Sequence, residues 1–272
     1  MSLPRTVPYV VDYDDAEFHR YDNHKSAAVR FLLGKKIDGV MRGAAMVVAG
    51  NNYIAEHARK AGAKRVELLP SVVDLERYRP ICLPRNEVFT IGWIGTPITA
   101  QFLQLAAPAL REVCRGGTTR LVTIGSGPLD LPGVPVEVKP WSEETEARDL
   151  QMCDVGIMPV LDNPHNRGKC GLKLIQYMAC ARPVVGSPIG VNAEIIRPGE
   201  NGFQAVDTTE WVQALETLRA DAALRRRMGQ EGRKLVESRY SLAVAAPRLA
   251  QLLRSAACRT TGRITAVECK AA

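Results

Sequence analysis

A chain of 272 residues fits one large domain or two small ones at ~100 to 200 residues each, and 46% hydrophobic with 24% charged side chains is globular composition that excludes disorder, collagen and coiled coil. No stretch reaches the ~18 consecutive apolar residues of a membrane span, and Met1-Ser2-Leu3-Pro4-Arg5 lacks the apolar core of a secretory signal, so a cytoplasmic protein is expected. The net charge of +7 sits at the ends, with 14 basic against 10 acidic side chains over residues 1–86 and 12 against 7 over 205–272, whereas 87–204 holds 10 against 12 and is no polyanion-binding surface.

In chain order, Tyr9-Val10-Val11 is a strand signal that runs into Asp12, Asp14 and Asp15. A helix-rich stretch follows, with strand-like Met46-Val47-Val48 and Val66-Glu67-Leu68-Leu69, too little sheet for an independent parallel domain. From 87 to 204 short β-branched runs alternate with helix-length segments, the pattern of a parallel sheet covered by helices. Phe89 to Ile94 reads as a buried strand ended by Gly95-Thr96-Pro97, with Thr99 placed to cap a helix to about Arg115. Leu121 to Ile124 is the next strand, stopped by Gly125-Ser126-Gly127, and Val134 to Val138 the third, followed by Trp141 and a helix led in by Ser142 and Thr145 that runs to about Met152. Val155 to Pro159 is a fourth strand. A polar loop from Asp162 to Lys169 leads into a helix from Gly171 to Cys180, before strands at Pro183–Gly186 and Gly202–Gln204. Every strand ends in a loop that enters a helix, so loops and helix N-termini collect at one sheet edge, where open α/β sheets bind ligands.

Residues 208–257 read as three helices, one opened by Thr209-Glu210-Trp211, one capped by Asp221, and one from Leu242 to Ala257. The run Arg225-Arg226-Arg227 has no aromatic neighbour, which argues against nucleic acid. It reads as a solvated helix face, with contact to anionic lipid the alternative. Seven cysteines (Cys82, Cys114, Cys153, Cys170, Cys180, Cys258, Cys269) form no Cys-x-x-Cys pair and face no histidine cluster, so reduced thiols are expected rather than disulfides or zinc.

The most informative stretch is Arg167 to Val185. A helix beginning at Gly171 and Leu172 turns free N–H groups and the positive end of its dipole, ~0.5 of a charge, toward the sheet edge. Lys169 precedes that helix and Lys173 sits in its first turn, where a cation opposes the dipole unless an anion is present. Two lysines at this end point to a phosphate site, the alternative being a solvated pair on an amphipathic helix. Gln176 lies one turn on and could hydrogen-bond a ribose hydroxyl. Clustered carboxylates after Val11 cost repulsion unless a cation, water or ligand offsets it, and a solvated turn with Asp15 as a cap is the plainer reading.

Together these residues carry a resemblance. Lys173 to Cys180 followed by Arg182-Pro183-Val184-Val185 and Ser187 to Asn192 resembles the donor-nucleotide motif of the group 1, or family four, glycosyltransferases. Leu69 to Asp74 resembles that family's interdomain linker, and Gly95, Asp154 to Pro159, Gly199 to Phe203 and Tyr240-Ser241 match further signatures from about residue 9 to 255. The resemblance implies an α/β, GT-B-like fold. One complete Rossmann-like domain (81–240) would follow an incomplete amino-terminal, acceptor-side domain (1–80) and precede a carboxy-terminal helix and tail (241–272). It implies retaining transfer from a nucleotide-sugar donor to a glycan or lipid-linked acceptor in surface polysaccharide synthesis, without cofactor or metal. The basic ends would make peripheral contact with the inner membrane face. Donor contacts would come from Gly95, Thr96, Thr99, Gly125, Lys139, Trp141, Lys169, Gly171, Leu172, Lys173 and Gln176, with Trp141 stacking on a base or else covering the core. Asp12 and Asp14, and nearby His19 and Tyr21, would face the donor sugar or acceptor, and Lys173 would stabilise the leaving diphosphate.

Departures from the pattern are equally specific. The family places two glutamates eight positions apart, and Gly168 and Gln176 stand in those positions here. Its arginine after the first strand is replaced by Thr96-Pro97-Ile98-Thr99, leaving Lys169 and Lys173 to supply charge. The first strands and glycine-rich loop of the amino-terminal domain are missing from the sequence as read, so a catalytically silent nucleotide-sugar-binding module, or a truncated inactive fragment, is the alternative. An epimerase of the same fold has little motif support, and no Walker lysine–serine pair suggests an NTPase.

Overall fold

The structure, a computed structural model, describes residues 8–81 and 87–260, with backbone only for 258–260. Cys82, the side chain of Cys258, Cys269 and the expected tail past 260 lie outside the described residues, while Cys114, Cys153, Cys170 and Cys180 are free and buried. Burial pushes the thiols of Cys153, Cys170 and Cys180 up to about 12, which makes them poor nucleophiles.

Three strands near the amino end, β1 (Val10–Tyr13), β2 (Met46–Ala49) and β3 (Val66–Leu68), pair in parallel in the order β1-β2-β3. Helices α1 (His19–Asp22), α2 (Ala27–Leu33) and α3 (Lys36–Gly43) join β1 to β2, and α4 (Asn52–Lys60) joins β2 to β3. All of β2 is buried. On one side Val47 and Ala49 pack with Ile54, Ala55 and Ala58 of α4 and with Phe18 and Met41. Asn51 caps α4, its side-chain carbonyl accepting from the Ile54 amide at 3.0 Å.

The second sheet is also wholly parallel. Its strands β4 (Phe89–Ile94), β5 (Thr119–Ile124), β6 (Val136–Lys139), β7 (Val155–Met158), β8 (Val184–Gly186) and β9 (Gly202–Gln204) run in the order β6-β5-β4-β7-β8-β9. The helices are α5 (Pro97–Ala100), α6 (Leu103–Cys114), α7 (Glu146–Gln151), α8 (Pro164–Arg167), α9 (Leu172–Ala179), α10 (Asn192–Ile195), α11 (Thr208–Ala220), α12 (Ala222–Arg239) and α13 (Leu242–Thr260). Leu103 and Leu110 of α6 with Trp211 and Leu215 of α11 cover Ile91, Trp93 and Leu121 on one face. Leu174, Ile175 and Met178 of α9 with Leu235 and Val236 of α12 cover Val122, Ile124 and Met158 on the other. Burial on both faces explains why the inner strands β4, β7 and β8 read as nearly continuous apolar runs.

Several local expectations are corrected. The helix expected from Thr99 to Arg115 is two, because Pro97 fits a first helical position and Thr96, not Thr99, is the cap; Thr99 completes the capping box, its hydroxyl accepting from the Thr96 amide at 3.1 Å. Ser142 and Thr145 lead into α7 as expected, the Ser142 hydroxyl accepting from the Thr145 amide at 3.2 Å and Thr145 standing at the cap position before Glu146. The loop from Asp162 to Lys169 contains the single turn α8, capped by Asn163, and Asp207 rather than Thr209 opens α11. Arg225 is no free part of a basic face, since it lies 5.3 Å from the Phe89 ring, pairs with Asp154 and donates to the Arg219 carbonyl.

The two sheets are tied at several points. The linker residue Val73 donates to the Tyr240 carbonyl and accepts from the Leu242 amide, both at 3.0 Å, so outgoing and returning chains cross side by side. Beyond that crossing α13 lies against the first sheet, Leu252 and Ala256 packing on Met46 and Val48 while Arg65 donates to the Ser255 hydroxyl at 2.7 Å.

Candidate functional site

Strand order reverses between β4 and β7, so the loops after these strands diverge and open a crevice at their carboxyl ends. Gly95, Thr96 and Thr99 after β4, Gly125 after β5, Trp141 after β6 and Met158 to Val160 after β7 line a cleft of about 660 Å³. Lys169 to Lys173 and Gln176 close its second wall, and Asp14, Asp15 and Ser71 face them from the first sheet. Eleven of the fifteen residues expected at the site therefore meet in one cleft. The other four do not line it. Lys139, at the end of β6, is held by Asp149 at 2.8 Å and Glu137 at 3.8 Å, and Asp12 lies within β1, level with Val48 of β2. Burial and then Asp14 raise the Asp12 carboxyl above the ordinary carboxylate range. His19 bonds Asp22 and Tyr53 at 2.8 Å each, and Tyr21 lies under Lys36, both away from the cleft.

At the centre stands Lys173. Its Nζ lies 4.4 Å from the Trp93 ring centroid and 3.4 Å from the Thr99 hydroxyl, and it forms no ion pair among the described residues. Burial first and the neighbouring Lys169 second push its ammonium down to about 7. Gly95 leaves the space for it, since a Cβ there would come within 2.6 Å of Nζ. Gly171, with φ of +69°, turns the chain into α9, whose first N–H groups have no acceptor earlier in the helix and no side-chain cap. A cation with no ion pair among the described residues, open amides and a helix dipole thus converge, which is the electrostatic form of an anion site.

One turn along α9, Gln176 enters a network the sequence did not show. Its Nε2 donates to Glu146 Oε1 at 3.0 Å and to the Tyr78 hydroxyl at 3.2 Å, while Tyr78 and the Trp141 indole also donate to Glu146. Glu146, only 5% exposed, lines the cleft, as does Trp141, which is 54% exposed. Burial and the Glu146 carboxylate raise the Tyr78 hydroxyl far above its ordinary value, so it stays a donor.

The loop before α9 is fixed from the first sheet. Asn51 Nδ2 donates to the Gly168 carbonyl at 2.7 Å and to that of Lys169 at 3.2 Å. Lys169 Nζ lies 3.8 Å from Asp15, a carboxyl raised by burial against the opposing pull of Lys169. Gly168 packs on Ala16, where a Cβ would approach to 2.4 Å, so no larger side chain fits in this position. Of the residues missed by sequence reasoning, Glu146 had only the signal of its place after Trp141, Ser71 only its place in the matched linker, and Asn51 and Tyr78 had none.

The profile of the family described as Glycosyl transferases group 1 matches residues 85–221. Among curated proteins, the alpha-D-kanosaminyltransferase of Streptomyces kanamyceticus is 27% identical over 256 residues, covering 86% of this chain and 62% of that protein. Among solved structures, HepE of Anabaena in complex with UDP-glucose superposes with a TM-score of 0.71 at 16% identity, covering 91% of this chain and 72% of that one. Sucrose-phosphate synthase of Thermosynechococcus elongatus gives 0.69 at 18% identity, covering 90% and 67%. The chain spans less than two thirds of the length of the curated relatives it matches. With just over half of its residues matched by the family profile, and with two parallel sheets meeting at a cleft, the chain belongs to the group 1 glycosyl transferases and has their GT-B fold.

Proposed function

We propose that this chain binds a nucleoside-diphosphate sugar in the cleft and transfers the sugar, with retention of configuration and without a metal, to a glycan or lipid-linked acceptor. The observation that carries the reading is Lys173, a partly buried amine at the open N-terminus of α9 with no counter-ion among the described residues. As the bond from the anomeric carbon to the diphosphate oxygen breaks, negative charge grows on the leaving group. A preorganised ammonium and the α9 amides stabilise that charge more than they stabilise the bound donor. The exposed face of Trp141 offers a stacking surface for the base, and Asp14 faces the site from the first sheet, where the acceptor would enter. We place the reaction in the cytoplasm at the inner membrane face, and stronger flotation with anionic than with neutral vesicles would support that placement.

A thermal-shift panel of UDP, GDP, ADP, CMP and dTDP, with and without magnesium, tests the reading. A ligand at a hundred times its Kd adds ~2.7 kcal/mol, readily seen for a chain of this size at ~2 to 4 °C per kcal/mol. A base-selective shift supports the donor site, and no shift with any nucleotide refutes it. A second reading, a silent nucleotide-sugar-binding module, is favoured by Gly168, which leaves no room for a carboxylate where the motif has one. Base-selective binding without transfer or donor hydrolysis would select it.

A further inference from the structure

Gln176 stands where the resembled motif carries a carboxylate, yet a carboxylate is present beside it. Glu146, thirty residues earlier on α7, accepts Gln176 Nε2 at 3.0 Å and also accepts from the hydroxyl of Tyr78 and the indole of Trp141. Both oxygens of Glu146 are acceptors, so the Gln176 amide has one favourable orientation. Turned over, its carbonyl would face a carboxylate oxygen at the same distance. In the observed orientation the –NH2 is spent on Glu146 and Tyr78, while the carbonyl oxygen has no partner among the described residues and belongs to a side chain that lines the cleft. The negative charge behind the amide polarises that carbonyl and strengthens it as an acceptor.

We infer that Glu146 is a positioning residue for ribose recognition: by fixing the Gln176 amide it presents an acceptor oxygen to the ribose hydroxyls of the bound nucleotide. The inference rests on the donor-site reading above and adds how that site tells ribose from a sugar without those hydroxyls. A glutamine free to turn would still bond a hydroxyl through either end, but it would hold no fixed acceptor and would discriminate less.

The test compares whichever of UDP, GDP or ADP binds the wild-type chain with its 2′,3′-dideoxy analogue by titration calorimetry. The variants are Glu146→Gln, Gln176→Glu, and the swap carrying both. The wild-type chain is expected to prefer the ribonucleotide by ~10-fold or more, the worth of one good hydrogen bond to a fixed acceptor. Glu146→Gln should lower the ratio to about 3-fold or less, and the swap, which returns a carboxylate to position 176 with an amide donor beside it, should restore it. A wild-type ratio in Glu146→Gln overturns the inference. A ratio lost in Glu146→Gln and not restored in the swap also overturns it, since it marks Glu146 as only a structural partner of Tyr78 and Trp141. No binding of any nucleotide to the wild-type chain would refute the donor-site reading itself, and the inference with it.

Discussion

Proton-linked binding at Lys173 is the sharpest consequence of the cleft electrostatics. The amine, ordinarily charged until about 10.5, is pushed down to about 7 by burial and Lys169, so near neutrality it is only half protonated. A bound diphosphate supplies the missing counter-charge and draws the proton on. The probe should be an intact nucleotide-sugar, because its diphosphate diester does not itself titrate near neutrality. Observed affinity should fall by ~25-fold between pH 6.5 and 8.5 and approach ~10-fold per pH unit at the upper end, with net proton uptake rising toward ~1 per site. Calorimetry in two buffers of different ionisation heat reads that uptake directly. Lys173→Met should bind weakly at both pH values, with no uptake.

The sign on stability is opposite. Because the folded value lies below the unfolded one, the unfolded chain holds more protons between about pH 7 and 10.5, and this group penalises folding fully below that window. Lys173→Met should therefore melt higher at pH 7, by on the order of 2 to 4 kcal/mol, the lower figure allowing for solvent reaching a partly exposed side chain. Equal affinity at pH 6.5 and 8.5 without proton uptake, or wild-type affinity in Lys173→Met, would refute the argument.

Other perturbations follow from the same geometry. Gly168→Glu, which returns the first of the motif's two glutamates, should not raise turnover, because its side chain meets Ala16 and should cost ~1 to 3 kcal/mol by denaturant melt; a stable variant with faster turnover would contradict this. Gly95→Ala should weaken nucleotide binding more than ~10-fold, as its Cβ would stand 2.6 Å from Lys173 Nζ and 2.8 Å from the Thr99 hydroxyl; wild-type affinity by titration would count against the crowding. Asn51→Ala loses the α4 cap and both bonds to the Lys169 loop, so it should lower stability by ~1 to 3 kcal/mol and nucleotide affinity together. Lys139→Ala, whose amine is occupied by Asp149, should leave nucleotide affinity within ~2-fold while lowering the melting point.

Much of the architecture was written in local pattern. Nearly continuous apolar runs bounded by glycine and proline gave the inner strands β4, β7 and β8, because a strand buried on both faces needs no polar alternation. Lysines at the wrong end of a helix gave Lys169 and Lys173, because the dipole makes a cation there unfavourable without an anion. The three strands of the first sheet were each legible, but their parallel pairing in the order β1-β2-β3 came only from the packing of α1 to α4 between them.

What the tertiary structure decided are meetings between residues far apart in the chain. Asn51 reaches Gly168 across 117 positions, Arg65 reaches Ser255 across 190, and Glu146 lies against Gln176 across thirty. Periodicity reports which face of an element is apolar but not which element it will face, so the closing of Gly168 by Ala16 and the occupation of Lys139 by Asp149 could not be read along the chain. The sequence by itself determined that two lysines and a helix N-terminus stand at the edge of a parallel sheet. Only the packing of the two sheets and the cross-chain bonds around Gln176 decided which side chains reach that site and which carboxylate stands beside it.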